Sequence, residues 1–151
     1  MTSVNGVPVL HLAGVLGLLM SRLRADISEL AEPSFAELRA SHFRLLELIP
    51  PEGARITDLA EVAGMTKQGL GQHVNYLERN GYVSSERLPV DKRVRLVRRT
   101  SRGDEGVAMV QAVIAQVEKR WQTELGPQRY AEFLATAREL GITPARATET
   151  A

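Results

Sequence analysis

The chain has 151 residues, of which 44% are hydrophobic, and a formal net charge of +1. That length supports one packed domain, or one domain with a dimerisation arm, and the absence of cysteine from the sequence excludes disulfides, thiolate metal sites and a thiol redox switch. No stretch is long and apolar enough to span a membrane and the N-terminus lacks the basic segment of a signal peptide, so a cytoplasmic location is predicted.

The first predicted element is a long helix from Val7 to Leu30, because leucine and isoleucine recur along one helical stripe. Between residues 9 and 20 the only ionisable side chain is His11, and a helix that is apolar nearly all round needs cover on more than one side. A dimer interface is therefore favoured over the alternative, simple burial within one subunit. The predicted interface residues on this helix are Leu12, Leu16 and Leu19.

A second helix is predicted from Ser34 to about Leu48. The segment Ala31-Glu32-Pro33 breaks the first helix, and Ser34 with Glu37 three residues later has the spacing of a capping box. His42 falls on the apolar stripe of this helix. A hydrogen-bonded core imidazole is the ordinary explanation of such a histidine, and ligand binding is the alternative.

The next segment predicts a short strand and then two helices joined by a tight turn. Pro50 to Gly53 predicts a turn, and Arg55-Ile56 a strand that pairs with a later hairpin. Thr57 is predicted to cap a helix that ends at Ala63, with Gly64 as its terminating residue. Thr66 is predicted to cap the second helix, which stops near Asn80.

That second helix has the composition of a DNA recognition helix. His73 shares its inner stripe with three apolar residues, either as a satisfied buried imidazole or as a group that senses protonation. Gly69 and Gly71 each cost about 1 kcal/mol relative to alanine, and they either allow close approach to a DNA groove or merely loosen the helix. Its other face carries side chains suited to base edges and phosphates. They are Lys67, Gln68, Gln72, Asn75, Tyr76 and Arg79.

A basic hairpin follows, because the apolar period changes to that of a strand. Tyr82–Arg87 and Arg93–Arg99 are the predicted strands, with Val94 and Leu96 on one face and Arg93 and Arg95 on the other. Asp91 in the connecting turn either orients Arg93 towards a minor groove or only shapes the turn. This arrangement predicts the wing of a winged helix-turn-helix.

The charge of the chain is concentrated in this region. From Thr66 to Arg102 there are nine basic and three acidic residues, a net charge of +6, whereas the rest of the chain carries −5. A solvated arginine face would explain such a run by itself. Because this basic segment coincides with the helix-turn-helix spacing, the interpretation that it binds DNA phosphates is favoured.

Two more helices are predicted after the wing. Thr100 caps a helix from Ser101 to Leu125, and Gly126 ends it. Pro127 opens a last helix that stops at Gly141, before a tail rich in Thr and Ala. The apolar stripes of these helices predict further dimer contacts at Val117, Phe133 and Leu134.

Short motifs in this order resemble the MarR family of transcriptional regulators. The residues that carry the resemblance are Leu59-Ala60, Gly64-Met65-Thr66-Lys67-Gln68, Leu77-Glu78, Gly81-Tyr82-Val83, Pro89-x-Asp91-x-Arg93 and Thr100-x-x-Gly103. The resemblance implies a homodimer whose terminal helices interdigitate, a repressor released by a small ligand, and a ligand crevice between the helical arm and the winged helix. A two-fold protein further predicts a pseudo-palindromic operator in double-stranded DNA.

The predicted fold is mainly α with a small β-hairpin wing. Residues 34–100 are the predicted winged helix-turn-helix DNA-binding domain, and residues 1–33 and 101–151 are predicted dimerisation helices. The predicted DNA-binding residues are Thr66, Lys67, Gln68, Gly69, Gln72, Asn75, Tyr76, Arg79, Asp91, Lys92, Arg93 and Arg95, with Arg44 and Arg55 at the flanking junction. The predicted ligand-binding residues are His11, Arg39, His42 and Trp121.

The predicted function is that of a sequence-specific transcriptional regulator, a homodimeric repressor relieved by a small aromatic or anionic effector. One alternative is a winged-helix protein-interaction module that does not bind DNA. A small helical enzyme is the other, but the sequence has no nucleophile and base in a recognisable order, no phosphate-binding glycine loop and no paired-carboxylate motif. No cofactor is predicted, and the three histidines lack metal-ligand spacing.

Overall fold

The computed structural model describes residues 3–4, 7–8 and 11–142. Within them the chain forms six α-helices, one 3-10 helix and two small sheets, and none of these helices is long and apolar enough to cross a membrane. Residues up to Ile114 form one compact unit and residues from Ala115 form a second. The elements are β1 (Ser3–Val4), β2 (Val7–Pro8), α1 (Leu12–Leu30), a 3-10 helix (Pro33–Phe35), α2 (Ala40–Leu48), β3 (Ala54–Arg55), α3 (Ile56–Ala63), α4 (Lys67–Arg79), β4 (Val83–Arg87), β5 (Arg95–Arg99), α5 (Ser101–Leu125) and α6 (Pro127–Ile142).

Helix α1 begins at Leu12, so the predicted start at Val7 was wrong. Val7 and Pro8 instead pair with β1 in a two-stranded antiparallel ribbon. A residue before proline is pushed out of the helical region, which explains why the helix does not include Val7. His11 caps α1, and its Nδ1 accepts a hydrogen bond from the Gly14 amide at 3.3 Å.

The capping box predicted at Ser34 and Glu37 was also wrong. Ser34 lies in the 3-10 helix, and α2 begins only at Ala40 with Arg39 as its N-cap residue. The amide of Arg39 donates to Nδ1 of His42 at 3.0 Å, so the histidine performs the task that the prediction gave to Glu37. The carboxylate of Glu37 turns instead to the charged donor Arg102, at 2.6 Å, and to the Tyr82 phenol.

Tyr82 is the largest fully buried side chain of the first unit. Its hydroxyl donates to Glu37 at 2.5 Å, and the Arg102 guanidinium lies 4.6 Å from its ring centroid. Burial and the Glu37 bond raise the pKa of Tyr82 to about 12, and the hydrogen bond from Tyr82 lowers the pKa of Glu37. The phenol therefore stays protonated and the carboxylate charged at neutral pH.

The two helices and the turn that precede the wing follow the prediction closely. Helix α3 begins at Ile56 rather than Thr57, because β3 pairs with β5 and leads directly into the helix, and Thr57 is not its cap. Gly64 ends α3 with φ of 64°, a left-handed conformation that suits glycine. Thr66 caps α4 as predicted, since its Oγ1 accepts from the Gly69 amide at 3.1 Å.

The two helical glycines of α4 differ in their surroundings. A Cβ at Gly69 would lie 3.1 Å from the Thr66 Oγ1, close enough to disturb the cap, whereas a Cβ at Gly71 would meet nothing within 4 Å. Packing within the chain therefore explains Gly69 and leaves Gly71 without an internal reason.

The wing consists of β4 and β5, which pair antiparallel with Ser85 opposite Val97. The sheet order is β3-β5-β4, so the predicted pairing of the short strand with the hairpin is confirmed. Val83 and Val97 are buried on one face. Since alternate residues of a strand share a face, Arg95 and Arg99 lie on this inner side with them.

Thr100 caps α5 as predicted, because its Oγ1 accepts from the Gly103 amide at 3.2 Å. Gly103 is required there, since a Cβ would lie 2.1 Å from the Tyr82 carbonyl oxygen. Gly126, with φ of 87°, separates α5 from α6. Helix α6 continues through Gly141, so the predicted stop at that residue was wrong, and the predicted tail from residue 143 lies outside the described residues.

Candidate nucleic-acid interface

A groove of about 640 Å³ lies between the start of α4 and the wing. Five of its ten lining residues are basic and none is acidic. We call it the wing groove, and it is lined by Arg55, Ile56, Thr57, Lys67, Gln68, Gly71, Arg87, Arg93, Val94 and Arg95. Because no acidic residue lines the groove, its cations favour the binding of anions.

The recognition helix presents its predicted face to solvent. Lys67, Gln68, Gln72, Asn75 and Arg79 are exposed. Lys67 and Gln68 lie at the wing groove. An adjoining open depression is lined by Gln72, Asn75 and Arg79 together with Glu78. The structure therefore brings the predicted amide side chains onto one continuous surface.

The wing tip is held by local hydrogen bonds. Asp91 Oδ1 accepts from the Arg93 amide at 3.0 Å, and the Val94 amide donates to the Asp91 carbonyl at 3.0 Å. The Arg93 guanidinium is 96% exposed and its Nε lies 3.6 Å from the Asp91 carboxylate, beyond a good hydrogen bond. In this structure the Asp91 carboxylate shapes the turn through its bond with the Arg93 amide, and its contact with the Arg93 guanidinium is weaker than that bond. Lys92 is exposed beside them.

Arg95 is paired within the protein, and its predicted role as a direct DNA contact stays a prediction. Its guanidinium donates to Glu78 Oε2, Asn75 Oδ1 and Ser85 Oγ at 2.8, 2.8 and 2.9 Å. The side chain is 18% exposed. Its charge is offset by Glu78 because its position on β5 directs it back towards α4.

Tyr76 is directed into the protein, which does not support its predicted DNA contact. Its hydroxyl donates to the Glu37 carbonyl at 2.8 Å, and its ring stacks on His42 with centroids 4.6 Å apart. His73 meets His42 edge to face at 5.5 Å. His42 is thus a buried imidazole that caps α2 and packs on α4, in line with the ordinary explanation of it.

Comparison with known proteins assigns this architecture. The model of the MarR family matches residues 38–94, which include α2, both helices of the helix-turn-helix and the first strand of the wing with its turn. The winged helix of this chain is that of the MarR family. No curated protein matches the chain.

Solved structures share the fold over most of the chain. The PcaV transcriptional regulator from Streptomyces coelicolor, crystallised with its natural ligand, is 19% identical, with a TM-score of 0.73 over 95% of this chain and 99% of its own. The repressor CouR bound to a 23-mer DNA duplex is 22% identical, with a TM-score of 0.72 over 87% of this chain and 92% of its own. A structure of MarR is 22% identical, with a TM-score of 0.75 over 87% of this chain and 96% of its own.

A second cationic cavity, of about 560 Å³, lies among α1, α2 and the end of α3. Three arginines, Arg24, Arg39 and Arg44, line it together with apolar side chains, and it has no acidic lining residue. Arg44, predicted as a phosphate contact beside the recognition helix, lies here and not at the wing groove. Arg24 and Arg39 also line a neighbouring cavity of about 470 Å³ that includes Glu32.

Of the predicted ligand residues, the structure places only Arg39 at these cavities. His42 is buried away from their linings, and His11 is an exposed helix cap. Trp121 is half-buried in the second unit. The ligand roles of His11, His42 and Trp121 thus remain predictions.

The predicted dimer residues differ in exposure. Leu12 and Leu16 are exposed on α1 and Phe133 on α6, while Leu19 and Leu134 are half-buried. Val117 is only 2% exposed in the single chain, so it offers little further area to a partner.

Two arginines were missed as site residues by the sequence prediction. Arg87 lines the wing groove directly opposite Arg95 in the hairpin, a position that the strand register would have revealed. Arg24 lines both α1 cavities, and only the packing of α1 on α2 identifies it.

The His42 cap predicts a loss of stability in mild acid. Burial first, and then the nearby His73 and Arg39, hold the pKa of His42 below its ordinary value of 6.5. The unfolded chain then binds more protons, so the stabilisation is complete above pH 6.5 and is lost as the pH falls through the lower folded pKa. We expect the wild type to melt at a lower temperature at about pH 5.5 than at about pH 7.5, in the range where histidines titrate.

His42→Gln should reduce that pH dependence, because glutamine at this capping position supplies an acceptor that does not titrate. His11→Gln replaces the exposed capping histidine of α1 and is the matched control, expected to keep the wild-type dependence. Equal pH slopes for His42→Gln and wild type in thermal denaturation would contradict the assignment.

Proposed function

We propose that this chain is a DNA-binding transcriptional regulator that acts as a homodimeric repressor and is released by a small anionic ligand. The observation that carries the proposal is the wing groove, which places five basic and no acidic side chains between a recognition helix and a wing. That a MarR-fold repressor, CouR, has been crystallised on a DNA duplex supports it. This function is not enzymatic, and the predicted cytoplasmic location agrees with it.

The side chains of the groove suit two separate tasks on DNA. Arg55, Lys67 and Arg87 can neutralise phosphates, which supplies sequence-independent affinity. Gln68 and Gln72 can each pair with adenine in the major groove, and the extended Arg93 suits the negative potential of a narrow minor groove. Gly71 adds bare helix backbone to the groove, which gives the duplex room to approach.

The homodimer part of the proposal rests on α1. Leu12, Val15, Leu16, Leu18 and Met20 are all exposed within a span of nine residues. A contiguous apolar face of this kind on a regulator is typical of a protein interface. A second copy fits because two-fold symmetry would bring the same face of α1 together and pair two wing grooves on one duplex.

The ligand part rests on the cavity of Arg24, Arg39 and Arg44. Three guanidinium groups above an apolar floor suit a small molecule with a carboxylate or phosphate and a hydrophobic body. Related structures hold ligands of that character, since CouR from Rhodococcus jostii RHA1 was crystallised with p-coumaroyl-CoA and 6-hydroxynicotinic acid regulates DNA binding by BpsR of Bordetella bronchiseptica.

DNA binding is tested by comparing two wing arginines. Arg93 lines the groove, whereas Arg98 of the same hairpin lies outside it, 3.6 Å from Glu86. We expect the affinity of the wild type for duplex DNA to fall linearly on a plot of log affinity against log salt. Arg93→Ala should reduce that slope by about one unit per wing, and Arg98→Ala should leave it nearly unchanged.

Fluorescence anisotropy titrations over about 50 to 200 mM salt provide the measurement. A wild-type chain that binds no duplex at the lowest salt would support the alternative of a winged-helix protein-interaction module. Equal slopes for both arginine variants would contradict the role given to the wing groove.

The homodimer is tested by a charge on the exposed face of α1. Leu16 and Val62 are both exposed apolar residues, at 49% and 65%, but Val62 lies on α3. We expect the wild type to sediment as a dimer at micromolar concentration, Leu16→Glu as a helical monomer, and Val62→Glu still as a dimer, because a charge in an apolar interface is left unpaired. A monomeric wild type would exclude this part of the proposal.

The ligand site is tested with a panel of small aromatic carboxylic acids. We expect at least one acid to raise the melting temperature, because a ligand that binds the folded chain stabilises it. The same acid should weaken DNA binding, because it binds preferentially to a conformation other than the one that binds DNA. Arg24→Met should abolish both effects. Arg22→Met, on the same helix but outside the cavity and paired with Asp26 at 3.7 Å, should retain them. An equal response in both variants would exclude this cavity.

A further inference from the structure

The carboxamide of Asn75 is held in one orientation by the wing. Arg95 Nη1 donates to Asn75 Oδ1 at 2.8 Å, although the two residues belong to β5 and α4. A guanidinium has only donors, so the atom that faces it must be the carboxamide oxygen. The Nδ2 amino group of this exposed side chain is therefore left as the group that a partner can meet.

A closed network fixes the arginine itself. Glu78 Oε1 accepts from the Ser85 amide and hydroxyl at 2.9 and 2.7 Å, and its Oε2 accepts from Arg95 at 2.8 Å. Ser85 Oγ in turn accepts from Arg95 Nε at 2.9 Å. Burial raises the pKa of Glu78, but the Ser85 bonds and Arg95 together lower it below its ordinary value. Glu78 is thus a carboxylate at neutral pH, and it offsets the charge of Arg95.

We propose that Glu78 and Arg95 are positioning residues that present Asn75 to DNA chiefly as a hydrogen-bond donor, and so make Asn75 a reader of acceptor groups on a base edge. This inference rests on the proposed DNA binding. It gives Arg95 a role in sequence preference and not in phosphate neutralisation.

The expected preference follows from base chemistry. An unrestrained asparagine pairs with adenine by donating to N7 and accepting from N6. Arg95 weakens the accepting half of that pair, because it occupies one of the two lone pairs of Oδ1 and turns the oxygen towards the wing. Guanine offers two acceptors in the major groove and thymine offers O4, adenine offers its N7 acceptor beside an N6 amino donor, and cytosine offers only its N4 amino donor. Asn75 should therefore favour guanine or thymine at its contact, and should disfavour cytosine.

A base edge is a better partner for Asn75 than a phosphate. Asn75 lies in one open depression with Gln72 and Arg79, on the exposed face of the recognition helix. Gln72 precedes it by three residues, so the two amides are neighbours on that face. The cations suited to phosphates are concentrated in the wing groove beside it.

The test is selection of bound duplexes from a randomised library, followed by sequencing, for the full-length chain and its variants. Asn75→Ala should lose the preference at one position of each half-site, with a loss of about fivefold in affinity for the selected duplex, the size of one hydrogen bond. Arg95→Met should instead raise the share of adenine at that position, because the Asn75 oxygen is then free to accept from N6. Arg98→Met is the matched control, since it removes a wing arginine outside this network, and it should select the wild-type sequence.

Asn75→Asp provides a second test that does not disturb the wing. Aspartate can still accept a hydrogen bond from Arg95 but has no amino group to donate. The base preference should therefore move towards cytosine, whose N4 amino group donates to a carboxylate. A purely structural role of Arg95 would lower the melting temperature and the overall affinity without changing the preferred base.

The outcomes separate this inference from the proposed function. A wild type that selects no sequence and binds no duplex would overturn both. A wild type that selects a sequence, with Asn75→Ala selecting the same sequence at every position, would overturn this inference alone. The same holds if Asn75→Ala changes only the salt slope, since that result would assign Asn75 to a phosphate.

Discussion

The structure of the first unit depends on one carboxylate that satisfies two donors from distant parts of the chain. Glu37 accepts from the buried Tyr82 phenol and from the Arg102 guanidinium, and these three side chains come from the segment before α2, the base of the wing and the start of α5. A buried phenol without an acceptor would be costly, so the three segments are held together. The Tyr82 carbonyl also leaves no room for a side chain at Gly103, so the base of the wing packs directly against the backbone of α5.

One face of the wing changes character along its length. Val83 at its base and Val97, opposite Ser85, are buried, and Ser85 bonds to Glu78 of α4. Nearer the tip, Arg95 also bonds to α4, and Arg87 opposite it lines the wing groove. Alternate residues on one face of the wing therefore pack in the core, bond to α4 or line the wing groove. This explains why arginines on one strand differ in function. Arg95 and Arg99 are paired with Glu78 and Asp104, respectively. The Arg93 side chain at the wing tip is instead exposed to solvent.

Local signals in the sequence predicted the helix-turn-helix well. The Thr66 cap, the Gly64 turn and the Thr100 cap depend on neighbouring residues, and all three agree with the structure. The start of α2 was predicted wrongly because Glu37 finds a charged partner 65 residues away, which no local pattern contains. The roles of Tyr76 and Arg95 were missed for the same reason, since each is set by a contact between separate elements.

The charge of the sequence predicted that the basic segment would form one surface, but it did not predict how the individual arginines are arranged. The basic segment does form a groove without acidic lining. Counting charges could not distinguish an arginine neutralised by Glu78 from one left exposed at the wing tip, because that difference depends on strand register. Likewise Arg44 is basic and near the recognition helix in sequence, yet it lies with Arg24 and Arg39 in another cavity.

The bare backbone at Gly71 also makes this chain a convenient starting point for altering operator choice. Apart from the adjoining backbone of α4, no atom of the described residues lies within 4 Å of the place where a side chain would begin, and the position faces the groove. Replacing glycine inside a helix generally stabilises it, by about 1 kcal/mol for alanine. A designer could therefore install a small base-contacting group such as serine in the space that the bare backbone leaves open, without first compensating for lost stability.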